Sequence, residues 1–338
     1  AEARFLVTKL LTADGTHIYL VDENVIRKVV IASAEVTTLA GSVNENLGSV
    51  VGSADGTGAS ASFKFPGDVT IDGAYLYVTD RNNHTIRKIE LSSGEVTTFA
   101  GKAGASGSTD GTGTAARFNY PTGITTDGTH LYVADSSNYT IRKIVISSGE
   151  VTTLAGTPGS TGSTDATGAI ARFKYPYGLT TDGINLYVGD SSNHTIRMVE
   201  LSSGAVTTLA GQAGASGSTD GIGAAARFTS PSGIATDGAY LYVAGCSNST
   251  VRKIAISSGQ VTTLAGTAGV KGATDDAGTA ARFNCLNGVA TDGFNLYVAD
   301  RFNFTIRKIN LVGATVNFSV SFADAAGNIA YYHGNFIP

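Results

Sequence analysis

The sequence has only two cysteines, Cys246 and Cys285, and neither belongs to a CxxC or CxxCH motif. This excludes a disulfide-dense scaffold, a four-cysteine zinc site and a c-type haem. No run approaches the roughly 18 apolar residues of a membrane-spanning helix, so we expect no membrane span. Charged residues make up 15% and the net charge is −4, which provides no cationic field for DNA or RNA.

Methionine is almost absent as well, since Met198 is the only one and the chain begins at Ala1. A removed secretory signal commonly produces such a start. The alternatives are excision of an initiator methionine in the cytosol or an artificial start. Low charge and abundant Ser, Thr and Gly favour the first interpretation, so we expect an extracellular or cell-surface protein.

What the sequence does contain is a repeat. The doublet Asp-Gly recurs at Asp14, Asp72, Asp127, Asp182, Asp237 and Asp292. The first spacing is 58 residues and the following ones are 55 residues, so the period covers nearly the whole chain. A period of this length indicates one domain built from six similar units.

Each unit has the pattern of four short strands. In the third unit these are residues 123–126, 131–134, 140–146 and 151–154, separated by turn residues. No segment has a sustained helical period. One such unit cannot bury both of its faces, whereas six arranged in a closed ring can. The sequence therefore predicts an all-β fold, a six-bladed β-propeller of four-stranded antiparallel blades, with an open β-solenoid as the competing architecture.

The pattern F-x-x-P-x-G-[IL]-x-x-D-G … L-Y-V-x-D-x-x-N-x-T-[IV]-R resembles the NHL repeat. It is clearest at Phe118, Pro121, Gly123, Asp127, Tyr132, Asp135, Asn138 and Arg142. The VTTLAG strand and the Gly/Ser/Thr/Asp loops resemble those of secreted bacterial NHL proteins. Unit 1 departs from this pattern, with Thr8 in the proline position and Leu10 in the glycine position. Unit 6 departs from it with Leu286 in the proline position.

The end of the chain departs from the repeat. Residues 1–316 are predicted to form the propeller and residues 317–338 a C-terminal strand or hairpin. Apolar Phe318, Val320 and Phe322 alternate with polar residues in this segment, which is the period of a strand with one apolar face. We expect this tail to pack on the ring or on a neighbouring subunit by strand addition.

A Gly- and Thr-rich loop in five units carries one aspartate each, at Asp55, Asp110, Asp165, Asp220 and Asp275. Calcium needs six to eight oxygen ligands, and only the loop with Asp275 and Asp276 offers two carboxylates. We expect these aspartates to cap the following short turn or to close their own glycine turn, with calcium as the alternative.

Two further sets of charged residues recur at equivalent positions of the units. Aspartates close the second strand at Asp22, Asp80, Asp135, Asp190 and Asp300, and arginines occupy the third strand at Arg27, Arg87, Arg142, Arg197, Arg252 and Arg307. Groups repeated in every unit favour structural ion pairs over catalysis. Gly245 replaces the aspartate in unit 5, so Arg252 is predicted to have a different partner.

The loops after the second strand contain N-x-T triplets beginning at Asn83, Asn138, Asn193, Asn248 and Asn303. In a eukaryotic secretory protein these would be glycosylation acceptors. The alternative, which we favour, is that asparagine adopts the left-handed conformation of the turn.

An enzyme is the less favoured interpretation. Six-bladed relatives with lyase or hydrolase activity hold a metal with His or acidic ligands in the central channel. His84 and His194 occupy equivalent loops two units apart, too far to share an ion, and the sequence has no HExxH motif. We therefore expect no catalytic residue, metal or cofactor, and keep a metal-dependent lyase or lactonase-like hydrolase as the alternative.

The two cysteines are predicted to form a disulfide. Cys246 follows the second strand of unit 5 and Cys285 precedes the first strand of unit 6. In a propeller these loops emerge on one face of adjacent blades, within the Cα separation that a bridge needs. Two isolated buried thiols are the alternative.

Functional information is expected where the units differ. On the loop-bearing face the candidate binding residues are Arg81, His84, Tyr139, Tyr177, His194, Arg301 and Phe304. Basic and aromatic side chains on an exposed face indicate contact with a protein or a glycan, although ordinary surface variation would look the same. Two functions follow, a recognition module that uses this face and a structural subunit of a surface layer or filament that assembles through the tail.

Overall fold

The computed structural model describes residues 5–42 and 49–311 and the backbone of residues 319–320. Within these ranges the protein is all-β, and its helices are three-residue 3₁₀ turns. Six antiparallel sheets follow one another along the chain, which confirms the predicted fold class. No helix in the described ranges combines the length and the apolarity needed to span a membrane.

The first three sheets, blades 1 to 3, come from residues 8–155. Blade 1 consists of β1 (Thr8–Ala13), β2 (His17–Asp22), β3 (Val25–Val30) and β4 (Val36–Ala40). Blade 2 consists of β5 (Gly56–Thr57), β6 (Val69–Asp72), β7 (Tyr75–Asp80), β8 (Thr85–Glu90) and β9 (Glu95–Gly101). Blade 3 consists of β10 (Gly111–Thr112), β11 (Pro121–Thr126), β12 (His130–Asp135), β13 (Thr140–Val145) and β14 (Glu150–Ala155).

Blades 4 to 6 repeat the arrangement. Blade 4 consists of β15 (Pro176–Thr181), β16 (Asn185–Asp190), β17 (Thr195–Glu200) and β18 (Val206–Gly211). Blade 5 consists of β19 (Gly221–Ile222), β20 (Pro231–Thr236), β21 (Tyr240–Gly245), β22 (Thr250–Ala255) and β23 (Gln260–Ala265). Blade 6 consists of β24 (Leu286–Thr291), β25 (Asn295–Asp300), β26 (Thr305–Asn310) and β27 (Ser319–Val320).

The described 3₁₀ turns lie in two kinds of loop. Those before the innermost strands are Gly58–Ser60, Gly113–Ala115, Gly168–Ile170, Gly223–Ala225 and Gly278–Ala280. Those between the second and third strands are Arg81–Asn83, Ser191–Asn193 and Arg301–Asn303.

The innermost strands β1, β6, β11, β15, β20 and β24 pack side by side around an axis, and β24 contacts β1. This contact closes the ring, so the open solenoid is wrong. The strand β27 pairs with β26, Val320 opposite Ile306, and supplies the outer strand of blade 6. Residues 312–318 and 321–338 lie outside the described residues, so the boundary at residue 316 and the packing of the rest of the tail stay predictions.

The hydrophobic core lies between blades, as the ring model requires. One cluster joins Tyr77 and Ile86 of blade 2 to Phe118, Leu131 and Val133 of blade 3, all buried. The equivalent phenylalanines of other units are buried in the same way, and each contributes about 2 kcal/mol or more by leaving water. Adjacent blades therefore hold each other in place.

Short fifth strands were not predicted. The strands β5, β10 and β19 each add two residues to the outer strand of their blade. They belong to the Gly/Thr-rich loop that leads into the same blade, so this loop covers an otherwise open sheet edge.

The Asp-Gly hairpins form the face opposite the loop-bearing face. Asp127 Oδ1 accepts hydrogen bonds from the N–H groups of Thr129 at 2.8 Å and His130 at 2.7 Å. The Tyr132 hydroxyl donates to its second oxygen at 2.8 Å. Burial acts to raise the pKa of Asp127, but these hydrogen bonds outweigh it and hold the pKa well below its ordinary value.

This hairpin predicts a pH-dependent stability. A carboxylate whose pKa is lowered on folding stabilises the protein above its unfolded pKa, and the stabilisation is lost as pH falls through the folded value. We expect Asp127→Asn to lower the free energy of unfolding by about 1 kcal/mol at neutral pH and by less as pH falls below about 4. Urea unfolding across pH measures this difference, and a difference that does not change with pH would contradict the assignment.

Candidate functional site at the mouth of the central channel

The repeated arginines are buried between two aspartates. Arg142 Nη1 donates to Asp135 Oδ2 at 2.9 Å and Nη2 donates to Asp110 Oδ1 at 2.7 Å. Arg142 and Asp135 are fully buried, and the guanidinium lies 5.2 Å from the Phe118 ring centre. The same double pairing occurs at Arg87, Arg197 and Arg307. The predicted structural ion pairs are therefore present.

The loop aspartates are partners of these arginines. Asp110 Oδ1 also accepts a hydrogen bond from Thr153 Oγ1 at 3.1 Å. The residue before the following 3₁₀ turn is Thr112, which makes no side-chain capping bond. The prediction that the aspartate caps this turn is wrong, because the carboxylate binds the arginine. The described residues contain no group of three or more His, Cys, Asp or Glu side chains that could hold a metal ion.

Blade 5 lacks one member of this network. Arg252 Nη2 donates to Asp220 Oδ1 at 2.6 Å. The Arg252 guanidinium also donates to the carbonyl oxygens of Arg227 and Thr219. Arg142 donates to the equivalent carbonyls in blade 3. Arg252 is therefore paired with Asp220 and not with a strand-closing aspartate, as predicted, although the equivalents of Asp220 pair with arginine in other blades as well. Burial lowers the pKa of Arg252.

The repeated asparagine is not the left-handed residue of its loop. Asn138 Nδ2 donates to Asp135 Oδ2 at 2.7 Å and to the Gly107 carbonyl at 2.6 Å. The positive φ, 60°, belongs to Tyr139. The prediction is therefore wrong by one residue, because the amide is needed to satisfy the buried carboxylate. The atom that would carry a glycan is engaged in these two hydrogen bonds.

Cys246 and Cys285 form a disulfide with sulfurs 1.99 Å apart, which confirms the predicted pairing of blades 5 and 6. The two residues are 39 positions apart. Closing a loop of this length restricts the unfolded chain, so Cys246→Ser with Cys285→Ser is expected to lower the free energy of unfolding by about 3 kcal/mol. Urea unfolding of the oxidised protein and the double variant measures the loss, and equal stabilities would contradict it.

Four of the predicted binding residues do not form a common site. Three of them contact the next blade, and the fourth is exposed on the loop surface. His84 Nδ1 accepts from the Tyr120 N–H, and His194 Nδ1 from the Ser230 N–H, both at 3.1 Å. The Tyr139 ring packs edge-on against Tyr175, with centroids 5.3 Å apart. Phe304 is 45% exposed and has a φ of 58°. The two histidines thus join blades, and no contact brings these four residues together.

The other three predicted residues, Arg81, Tyr177 and Arg301, converge at the axis. We define the channel mouth by its residues Lys9, Asp68, Arg81, Tyr177, Asn287 and Arg301. Arg81 and Arg301 follow the second strands of blades 2 and 6, while Tyr177 begins the innermost strand of blade 4. Below the mouth lies a cavity of about 130 Å³, lined by all six innermost strands.

Lys9 places a third cation here, from blade 1. Its Nζ donates to the Pro66 carbonyl of blade 2 at 2.8 Å, and the side chain is largely buried. Burial, together with the positive charges of Arg81 and Arg301, lowers the pKa of Lys9 to about 8. Three consecutive blades, 6, 1 and 2, therefore contribute one cation each to the same small region.

Tyr177 reaches toward these cations from the opposite side of the ring. The Asn287 side chain of blade 6 lies near its hydroxyl. Burial raises the pKa of Tyr177 and the Asp68 charge adds to this, while Arg81, Asn287 and Arg301 act in the opposite direction.

Asp68 lines the cavity directly beneath the mouth. Its Oδ2 accepts from the Ile124 N–H of blade 3 at 2.9 Å and its Oδ1 from the Val69 N–H at 2.8 Å. Burial raises the pKa of Asp68 to about 8, so the carboxyl is mainly protonated at neutral pH. Glycine occupies the equivalent position in blades 3 to 6, at Gly123, Gly178, Gly233 and Gly288.

Sequence reasoning missed Lys9, Asp68 and Asn287. The signal was present, because Lys9, Tyr177 and Asn287 occupy one column of the repeat, five residues before the Asp-Gly doublet. Asp68 stands in the next column, where four units have glycine.

No protein-family model matches the chain. NHL repeat-containing protein 2 of Homo sapiens is 30% identical over 297 residues, which cover 77% of this chain and 41% of that protein. This homology, together with the repeat pattern and the closed ring, decides the family. The chain is an NHL-repeat β-propeller. It spans about two fifths of the length of this relative.

Solved structures share the propeller fold. An auxiliary nutrient binding protein from Bacteroides thetaiotaomicron superposes with a TM-score of 0.66 at 18% identity, over 90% of this chain and 69% of that chain. A virginiamycin B lyase from Staphylococcus aureus superposes with a TM-score of 0.56 at 14% identity, over 96% and 89%. At these identities the likeness shows the fold alone, which serves binding in one protein and catalysis in another.

Proposed function

We propose that this NHL propeller is a non-enzymatic extracellular recognition module that binds a protein or a glycan through its loop-bearing face. The observation that carries the proposal is the channel mouth. Residues that differ between the units lie close together there, whereas the arginine–aspartate pairs of the scaffold recur from blade to blade.

The contrast between the two faces supports this choice. On the hairpin face the same Asp-to-tyrosine hydrogen bond recurs at 2.8 Å in blades 3 to 6. On the loop-bearing face the position after the second strand changes from Arg81 to Ser136, Ser191, Cys246 and Arg301. A surface whose chemistry differs between blades can distinguish one ligand orientation from the five others that the ring symmetry would allow.

The non-enzymatic part rests on the histidines and carboxylates. His84 and His194 accept hydrogen bonds from neighbouring blades, and Asp135 and its equivalents are bound to buried arginines. These groups are engaged in the scaffold. The alternative, a metal-dependent lyase or hydrolase, would need a ligand cluster that the described residues do not form.

The pairing of β27 favours recognition over filament assembly. Ser319 and Val320 pair with β26 of blade 6. This segment completes a blade, so one of its two hydrogen-bonding edges is already used within the ring. A filament built by donating this strand would leave blade 6 with three strands.

The test compares the two faces on one panel of immobilised glycans and purified cell-surface proteins. Arg81→Ser with Arg301→Ser introduces the residue that blades 3 and 4 carry at this position. Ile184→Thr with Phe294→Thr is the matched control, because Thr129 occupies that position in the blade 3 hairpin.

We expect the wild-type protein to bind at least one panel member and the mouth variant to bind it roughly tenfold more weakly. The hairpin-face control should bind as the wild type does. Binding that survives the mouth substitutions, or that only the hairpin-face substitutions weaken, would refute the proposal.

A further inference from the structure

The three cations of the channel mouth lack the carboxylate partners that the third-strand arginines of this ring have. Among the described residues, no carboxylate oxygen lies within 4.0 Å of the Lys9, Arg81 or Arg301 cation. The arginines of the third strands, by contrast, are each paired with aspartate. Gathering like charges without a counter-charge is unfavourable, so the arrangement is one that an anion would stabilise.

The nearby acidic groups are already engaged. The Glu23 carboxylate accepts a hydrogen bond from Ser49 Oγ at 2.5 Å. Asp22 is bound to Arg27 at 3.1 Å. Asp68 binds two backbone N–H groups and is mainly protonated at neutral pH. None of them neutralises the mouth.

Hydrogen-bonding capacity is also left over at this place. Arg301 Nε is buried and has no hydrogen-bond partner among the described residues. The Tyr177 hydroxyl and the Asn287 amide lie in the same group of side chains. A planar oxyanion can accept from the fork of a guanidinium and from a phenol at the same time.

Exposed aromatic rings border the mouth on blades 2 to 4. Phe65, Tyr120 and Tyr175 are 44%, 39% and 46% exposed. The Lys9 Nζ lies 5.5 Å from the Phe65 ring centre, and the Arg81 guanidinium lies 5.6 Å from that of Tyr120. Flat rings beside cations suit a ligand with an acidic group and a flat, partly apolar body, and a sugar ring has such a face.

The cavity of about 130 Å³ is lined by the innermost strands and by none of Arg81, Tyr177 or Arg301, so the ligand is expected at the mouth itself and not inside this cavity.

We propose that the channel mouth binds the carboxylate of an acidic saccharide, with Arg81 and Arg301 as its charged donors and Tyr177 and Asn287 as its neutral ones. This inference rests on the proposed function, since it names the ligand class of the same face.

Calorimetry with trigalacturonate and its methyl ester tests the charge directly, because the two ligands differ only in the ionised groups. We expect the wild-type protein to bind the acid roughly tenfold or more tightly than the ester, and less tightly at higher ionic strength. Arg81→Ser with Arg301→Ser should remove this preference. Lys174→Asn is the matched control, since it removes an exposed cation outside the mouth and introduces the residue found at Asn119.

Equal binding of acid and ester, or a preference that survives the double substitution, would overturn the inference. So would an acidic peptide that binds more tightly than the saccharide. Melting temperatures of the variants check that each one folds. Tyr177→Phe gives an independent readout. It removes the hydroxyl and should weaken the binding of the acid more than the binding of the ester. If acidic saccharides do not bind the wild-type protein, while Arg81→Ser with Arg301→Ser still weakens the binding of another ligand of the panel, the inference is wrong and the recognition function stands.

Discussion

Arg142→Ala is expected to lower the free energy of unfolding by about 4 kcal/mol, because it leaves the Asp135 carboxyl buried without its cation. Both side chains of this pair are 0% exposed. The remaining donors to Asp135 are the Asn119 N–H at 2.7 Å and the Asn138 amide at 2.7 Å. These neutral donors cannot replace the lost charge. Urea unfolding at neutral pH measures the loss.

Blade 5 supplies the matched control. Arg252 has the same environment without the strand-closing aspartate, since Gly245 takes that place and its remaining carboxylate partner, Asp220, is 45% exposed. Arg252→Ala therefore leaves no buried carboxylate unpaired, and its loss should be about 2 kcal/mol smaller.

Acidification separates the two variants further. Burial already raises the pKa of Asp135 to about 6 in the wild-type protein, and loss of Arg142 would raise it more. A raised folded pKa means that stability increases as pH falls through it. The deficit of Arg142→Ala should thus shrink between about pH 8 and 5. That of Arg252→Ala should not, and equal losses at all pH values would contradict the account.

Gly178→Ala is expected to cost about 3 kcal/mol, because the innermost strands of neighbouring blades touch through their backbones. A Cβ at Gly178 would lie 2.2 Å from the Ser232 carbonyl oxygen of blade 5, and neither backbone can move away within a closed ring. The loss should appear as a lower urea midpoint.

Gly245→Ala is the control, since its Cβ would meet nothing closer than 3.4 Å and other blades carry aspartate there. It should change stability by less than about 0.5 kcal/mol. Similar losses for both variants would show that general glycine effects, rather than blade contact, set the stability. Blade 2 has Asp68 at the position equivalent to Gly178. Its innermost strand begins only at the next residue, Val69.

The architecture could be predicted because its signals are local and repeated. The Asp-Gly doublets fix the hairpins, and six copies fix the ring. The disulfide followed from the topology, because Cys246 and Cys285 lie in loops that a propeller places on adjacent blades. The strands β5, β10 and β19 were missed because a strand of two residues is too short to show a hydrophobic period.

The channel mouth could be predicted only in part. Arg81, Tyr177 and Arg301 were identified as departures from the repeat, but nothing in their local sequence says that they approach Lys9 or Asn287. That proximity arises across the axis, between blades far apart in the chain. The left-handed residue was misplaced onto asparagine because the buried carboxylate at Asp135, which engages Asn138, is evident only in three dimensions.

The central claim is that binding occurs where the blades differ and not where they repeat. Hydrogen exchange of the disulfide-bonded protein, with and without the panel ligand that binds it most tightly, tests this claim most directly. The account predicts slower exchange in residues 64–68, 81–84, 175–178, 285–287 and 301–304. Protection confined to the Asp-Gly hairpins, with none in these segments, would contradict it.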